Sequence, residues 1–215
     1  MRTEGTNQQP LTLGPEQIKR VQQFTYLGSV VSNAGGTEED ITSRIAKARA
    51  TFAQLRPIWQ SEVLTRGVKF KIFRSNVKSV LLYGSETWRV TKDISQKIQV
   101  FVNRCLRQIL RIHWPEKISN DQLFERCHET PIFLQILRRK WTWIGDTLRR
   151  DTLHISRQAL EWTPQGKRKR GRPRQSWRRS VAAEARAIGL TWPELKSVAQ
   201  DRTRWRRTVD ALCPT

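Results

Sequence analysis

The chain has 215 residues, enough for one large domain or two small ones. Hydrophobic residues make up 37 % of it, which is enough to bury a core and excludes global disorder. The 40 lysines and arginines outnumber the 19 aspartates and glutamates and give a formal net charge of +21, so nucleic acid is the expected partner. No apolar run approaches the roughly 20 residues of a spanning helix, and no charged-then-apolar leader opens the chain, so no membrane partner is expected.

The cysteines are few and scattered. Cys105, Cys127 and Cys213 are an odd number with no short spacing, which predicts a reducing compartment rather than a disulfide framework. A string of Cys105, His113, Cys127 and His128 matches no common zinc spacing. Because Cys105 falls on the apolar face of a predicted helix, we expect a buried thiol and no metal or other cofactor in this chain.

The N-terminal region has two parts. Residues 1–10 are polar and are expected to be disordered. Residues 11–36 instead have a strand pattern, with aromatic and β-branched residues from Val21 to Val31 and a turn sequence at 33–36. We predict a short β-hairpin or a three-stranded unit here, which is too small to be stable alone.

Residues 37–162 are predicted to form a bundle of helices. Thr37 is expected to cap the first one, with carboxylates following it where the positive end of the helix dipole favours them. Ser119 with Gln122 forms a capping box, and Pro131 suits the first position of a helix. Apolar residues spaced by three and four predict helices at about 37–59, 65–82, 92–111, 119–127 and 130–148.

Two of these helices carry cations away from their apolar faces. The candidate nucleic-acid contacts on them are Lys71, Arg74 and Lys78 on the second, and Arg139, Trp143 and Arg150 on the fifth. An indole flanked by cations can stack on a base while the cations hold phosphates. Alternatively, Trp143 packs in an interface with another helix. The usual burial of tryptophan favours this second interpretation.

Residues 163–176 are predicted to be an extended basic linker. From Gly166 to Arg179 the chain has eight cations and no carboxylate, and its glycines and proline oppose a helix. All eight are candidate phosphate contacts: Lys167, Arg168, Lys169, Arg170, Arg172, Arg174, Arg178 and Arg179. Within them, Arg170-Gly171-Arg172-Pro173 has the form of an AT-hook core, which can lie in an A·T-rich minor groove. Generic phosphate contact is the better supported interpretation.

Two other interpretations of this linker stay open. Lys167–Arg170 alone would serve as a nuclear-import signal, and the nucleus is the expected location. The run of charge can also be a solvated spacer.

Residues 177–215 are predicted to form a small C-terminal helical unit. One apolar face runs from Trp177 to Ile188 and ends at Gly189. Thr191 with Glu194 forms another capping box. Asp201 is expected to begin a last helix, which buries Trp205, Val209 and Leu212. The predicted fold class is therefore mainly α, with one short β-hairpin at the start.

Seven clusters of uncommon residues occur in order between about residues 18 and 213. They are Phe24–Ser29, Asp40–Ala48, Leu81–Trp88, Cys105–Leu110, Arg138–Gly145, Gly166–Trp177 and Asp201–Arg206. Together they resemble the region that follows the palm of LINE-type (non-LTR) retrotransposon reverse transcriptases. The resemblance implies that Tyr26, Leu27 and Gly28 belong to a primer-grip hairpin near the primer end. It also implies that the helices after them form a thumb that closes on the template–primer duplex.

The resemblance has one departure and one larger gap. Relatives often carry His where Asp146 stands, which weakens any metal or phosphate role for that position. Two-metal nucleotidyl transfer requires paired palm carboxylates, and the aromatic-x-Asp-Asp signature is absent from this sequence. We therefore expect no catalytic residue and no polymerase activity from the chain alone. The Mg²⁺ ions would belong to a palm and fingers region upstream.

Two functions from different classes follow. The first is the nucleic-acid-binding C-terminal part of a retrotransposon reverse transcriptase, which grips template–primer duplex or target DNA. The second is a DNA-binding or chromatin adaptor that acts through the AT-hook-like segment. A thumb should favour a primed or RNA–DNA duplex by its shape, whereas an adaptor should favour A·T-rich DNA whether or not a primer end is present.

Overall fold

A computed structural model describes residues 12–19, 21–32, 37–162 and 176–213. Two small antiparallel strand pairs come first, and helices make up most of the remaining described chain. The predicted fold class, mainly α with β structure at the N-terminus, is confirmed. None of the helices in the described ranges combines the length and apolarity needed to span a bilayer.

The strands form two separate hairpins. β1 (Thr12–Leu13) pairs with β2 (Glu16–Gln17), and β3 (Gln23–Tyr26) pairs with β4 (Ser29–Ser32). The second hairpin turns at Leu27 and Gly28, whose φ angles are 47° and 79°. A two-residue hairpin turn of this hand matches the twist of the strands but requires positive φ at both positions. The second hairpin agrees with the predicted β-hairpin, whereas the residue pattern did not indicate where it turns.

The helices have the following bounds: α1 Glu38–Gln54, α2 Arg56–Gln60, α3 Arg66–Ile72, α4 Ser79–Leu81, α5 Lys92–Leu110, α6 Asn120–Cys127, α7 Ile132–Leu148, α8 Ile155–Glu161, α9 Trp177–Ala187, α10 Trp192–Gln200 and α11 Arg202–Leu212. A π-helical turn at Phe73–Lys78 joins α3 to α4, and a 3-10 turn occupies Ser85–Thr87. Three features were not predicted: the break between α1 and α2, the π-helical turn, and α8.

The predicted helix starts are largely confirmed. Both capping boxes, at Ser119 and Thr191, are present. The carboxylate of Asp201 accepts hydrogen bonds from the first backbone amides of α11. Thr37 does precede α1, but its hydroxyl donates to the carbonyl of Arg89 at 3.5 Å instead of capping the helix. α7 begins one residue later than predicted, with Pro131 at the cap position.

Two hydrophobic clusters share α7. The first extends over α1–α6 and includes Ile132 and Ile136 from the start of α7. The second is built from α8–α11 around Trp141, Ile144 and Leu148 of the same helix. A boundary between a thumb-like region and a C-terminal unit at residue 177 stays a prediction, but α7 contributes side chains to both clusters.

Long cationic side chains bind carbonyls at the C-terminal ends of several helices. The ammonium of Lys69 donates to the carbonyl of Trp59 in α2 at 3.0 Å. The guanidinium of Arg149 donates to the carbonyl of Ala199 in α10 at 3.1 Å. The last carbonyls of a helix have no partner within it, and its dipole favours a cation there. Some of the lysines and arginines therefore serve to satisfy the last carbonyls of helices.

The contact of Gly145 with Trp205 allows α11 to approach α7 closely. A Cβ on Gly145 would lie 2.1 Å from Nε1 of Trp205. We expect Gly145→Ala to lower the free energy of unfolding by about 1–3 kcal/mol, the usual cost of overpacking, as measured by urea denaturation. Gly67→Ala is the matched control, because no atom beyond its own stretch of helix lies within 4 Å of that Cβ position. It should leave stability unchanged or raise it, and an equal loss in both variants would contradict the packing argument.

Candidate nucleic-acid interface

The turn at Tyr26, Leu27 and Gly28 is held by the first helix of the bundle. The ammonium of Lys47 donates to the carbonyl of Gly28 at 2.8 Å. A guanidinium nitrogen of Arg44 lies 3.4 Å from the position that a Cβ on Gly28 would occupy. The side chains of Tyr26 and Leu27, in contrast, are 63 % and 72 % exposed. The turn thus has a fixed backbone and two large side chains at the surface.

Asp40 connects this hairpin to the segment Tyr83–Trp88. Its carboxylate accepts hydrogen bonds from the backbone N–H of Val30 and from the indole N–H of Trp88, both at 2.9 Å. The guanidinium carbon of Arg44 lies 4.7 Å from the centre of the Tyr83 ring. Three sequence clusters that were identified separately, around residues 26, 40 and 85, therefore meet at one place.

We expect Asp40→Ala to loosen the hairpin. The variant removes a hydrogen bond between a backbone N–H and a carboxylate, worth about 1.5–3 kcal/mol, so exchange of the Val30 amide should accelerate roughly ten- to a hundred-fold. Hydrogen-exchange mass spectrometry or NMR measures this directly. Glu39→Ala is the control, because Glu39 lies in the same helical turn and is exposed. Unchanged protection of Val30 in Asp40→Ala would show that the hairpin is held by other contacts.

The predicted basic stripe at Lys71, Arg74 and Lys78 is not a free surface. Arg74 donates to Glu129 at 2.8 Å and to the carbonyl of Cys127 at the end of α6 at 3.0 Å. Lys78 is buried and donates to Glu129 at 2.6 Å. Only Lys71 is exposed without a hydrogen bond or ion pair to another described residue. Lys78 is therefore held in the interior by Glu129, which lies 51 residues beyond it in the chain, while nucleic-acid contact by Lys71 and Arg74 stays a prediction.

Burial has a measurable consequence for Lys78. Desolvation lowers the pKa of its ammonium below the ordinary value of 10.5, although the nearby Glu129 opposes the shift. Between that lowered pKa and 10.5 the unfolded chain binds more protons than the folded one, so the Lys78 contribution to stability rises with pH.

We therefore expect the stability difference between wild type and Lys78→Met to shift in favour of the wild type as pH rises from neutral towards 10.5. Urea unfolding at several pH values measures it. Lys71→Met, an exposed change in the same stretch of helix, controls for the loss of one positive charge. A difference that is flat or falls with pH would contradict the assignment.

The second predicted set, Arg139, Trp143 and Arg150, is also largely engaged. Arg139 donates to Glu86 at 3.0 Å. The Trp143 ring packs edge-to-face on Trp177, with the ring centres 6.1 Å apart. Trp143 therefore seals a helix interface, which is the interpretation that its usual burial had favoured. Arg150 lies 2.9 Å from the imidazole of His154, by their nearest nitrogens.

Most of the basic linker lies outside the described residues. This applies to Lys167, Arg168, Lys169, Arg170, Arg172 and Arg174, whose role in phosphate contact stays a prediction. Arg178 and Arg179 are exposed in the first turn of α9. The guanidinium of Arg178 donates to the carbonyl of Trp162, just after α8, at 2.5 Å.

A groove between α1 and α5 contains cations outside the two predicted sets. It has a volume of about 870 Å³, and its lining includes Phe52, Phe101, Arg49, Arg56 and Arg104. The three arginines are exposed and form no hydrogen bond or ion pair with another described residue. The sequence contains one indication of this cationic surface: residues 41–61 include four cations and no carboxylate.

The thiol of Cys105 also lines this groove. Desolvation raises its pKa to about 12, and the positive charges of Arg104 and Arg49 oppose that shift. Both arginines therefore act electrostatically on the same buried sulfur. All three cysteines are buried and unpaired, which confirms the buried thiol predicted at Cys105.

Comparisons with known proteins give two matches. A family model described as a domain of unknown function (DUF6451) matches residues 51–83, from the end of α1 to just beyond α4. An uncharacterized transposon-derived protein of Caenorhabditis elegans is 24 % identical over 203 residues, which cover 90 % of this chain and 72 % of that protein. No solved structure matches. Over most of its length the chain is therefore similar to a protein of transposon origin.

Proposed function

We propose that this chain binds duplex nucleic acid, as the thumb-like C-terminal part of a retrotransposon reverse transcriptase. In this proposal it grips template–primer duplex or target DNA in the nucleus, and chemistry is left to an upstream palm and fingers region with its Mg²⁺ ions. The similarity to a transposon-derived protein supports the origin. The residue clusters that resemble LINE-type reverse transcriptases support the finer assignment.

The observation that carries the proposal is the set of exposed arginines around the α1–α5 groove. Arg49, Arg56 and Arg104 have no carboxylate partner among the described residues, whereas Arg74 and Arg139 both have one. Like charges in one groove repel one another, and binding of phosphates relieves that repulsion. A guanidinium also matches the geometry of a phosphate by donating two parallel hydrogen bonds.

The hairpin supports the same proposal. The exposed Tyr26 and Leu27 lie at a turn whose backbone is tied to α1, the helix that also carries Arg49. In this arrangement one helix would connect a primer-grip-like turn to a phosphate-binding groove. No described strand other than β4 pairs with β3, so that edge can accept a strand from the upstream palm.

The test compares two triple variants by fluorescence anisotropy with a primed DNA duplex and a primed RNA–DNA hybrid. Arg49→Gln with Arg56→Gln and Arg104→Gln removes the groove cations. Arg66→Gln with Lys92→Gln and Lys117→Gln removes three exposed charges elsewhere. If the groove cations contact one phosphate each, the groove variant should flatten the log–log salt slope for duplex DNA by about 2–3, at roughly 0.9 per contact. The control should change the slope much less, and equal losses in both variants would overturn the assignment of the groove.

The adaptor hypothesis is tested in the same assay. Arg170→Ala with Arg172→Ala should weaken A·T-rich and G·C-rich duplexes alike if the linker makes generic phosphate contacts. Loss of a preference for A·T-rich duplex, together with an inert α1–α5 groove, would favour the adaptor instead.

A further inference from the structure

A second concave site lies between α8, α9 and the start of α10. It has a volume of about 320 Å³, at the lower end of small-ligand sites and far too small for a duplex. Two indoles, Trp177 and Trp192, contribute to its lining. Leu160, Val181, Ala185 and Leu190 supply apolar side chains. The interior is therefore aromatic and aliphatic.

The charged groups of this cleft all have one sign. The guanidinium groups of Arg178 and Arg186 lie on exposed residues that line it, and no carboxylate does. Two carboxylates near the lining have partners of their own. Glu184 accepts from Lys140 at 2.5 Å and from the indole N–H of Trp141 at 2.8 Å. Glu194 accepts from the backbone N–H and the hydroxyl of Thr191, both at 2.7 Å, as part of the cap of α10. A ligand with an aromatic part and an anionic part therefore complements the cleft.

One aromatic wall is fixed before any ligand arrives. The indole N–H of Trp177 donates to the carbonyl of Glu86 at 2.9 Å, and the ring packs edge-to-face on Trp143. A ring held in this way loses little conformational entropy when a base stacks on it. Ala182, exposed on α9, also lines the cleft, and its small side chain leaves the space open.

We propose that this cleft binds one unpaired nucleotide, with the base against the indoles and the phosphate towards Arg178 and Arg186. The site is separate from the α1–α5 groove and takes a different substrate class, a single-stranded base in place of a duplex. A chain with both sites can hold a duplex and one nucleotide of an adjoining single strand together. Stacking on an aromatic side chain accepts any base, so the site selects for the unpaired state and not for sequence.

The test is isothermal titration calorimetry of the full chain with AMP, adenosine and inorganic phosphate. AMP should bind saturably, and adenosine and phosphate should each bind at least tenfold more weakly, because each lacks half of the complementary chemistry. Ala182→Leu should weaken AMP binding at least tenfold by filling the cleft. Ala183→Leu is the matched control, since Ala183 is exposed on the same helix but does not line the cleft. Arg186→Gln should weaken AMP but not adenosine.

Several results would overturn the proposal. Absence of saturable AMP binding in the millimolar range, or equal AMP binding by Ala182→Leu and wild type, excludes the cleft as a nucleotide site. Phosphate binding as tight as AMP binding means a simple anion site. Adenosine binding as tight as AMP binding means an apolar site without a phosphate requirement. Duplex binding by Ala182→Leu, measured in parallel by anisotropy, should stay at the wild-type level, so failure of this proposal is distinct from failure of the duplex proposal.

Discussion

Trp205 packs against α7 at Gly145, where the absence of a side chain brings the indole within reach of the helix backbone. Its N–H donates to the carbonyl of Trp141 at 3.1 Å, so the contact is polar as well as apolar. Trp205 belongs to the second hydrophobic cluster, which packs on the second half of α7. The first half of α7 belongs to the first cluster. This shared helix joins α8–α11 to α1–α6, together with the hydrogen bond from the indole of Trp177 to the carbonyl of Glu86.

Carboxylates are scarce in this chain, and several of them accept hydrogen bonds from more than one donor. With 19 acidic residues against 40 basic ones, three carboxylates that are buried or partly buried each accept from at least two groups. Asp40 accepts from a backbone N–H and an indole, and Glu129 from an arginine and a lysine. Glu184 accepts from Lys140 and Trp141. Such sharing supplies a carboxylate partner to the buried Lys78 and Lys140, whereas the buried Lys69 donates to backbone carbonyls instead. The exposed cations of the described residues that have no such partner remain available for an external anion.

Local patterns predicted most of the helices, since periodicity and capping residues act within one or two turns of chain. The buried thiol at Cys105 and the caps at Ser119 and Thr191 belong to this class. The burial of Lys78 could not be predicted in this way, because its partner Glu129 lies 51 residues away. Periodicity shows which face of a helix is polar. It does not show whether that face is exposed to water or contacts a carboxylate from a distant part of the chain. For the same reason the α1–α5 groove was missed, as it forms only when two helices come together.

Capping of helix ends by remote cations bears on how the chain folds. Lys69 of α3 completes the end of α2, Arg74 of the π-helical turn that of α6, and Arg149, just after α7, that of α10. Lys69 is only 10 residues from its carbonyl, but Arg74 and Arg149 are 53 and 50 residues away, so the final turns of α6 and α10 lack these partners until a distant segment has docked. Peptides that correspond to single helices will fray at these ends, and a cut within α7 will weaken α10 without removing any of its residues. The last turns of α6 and α10 should therefore reach full stability only after tertiary contacts have formed.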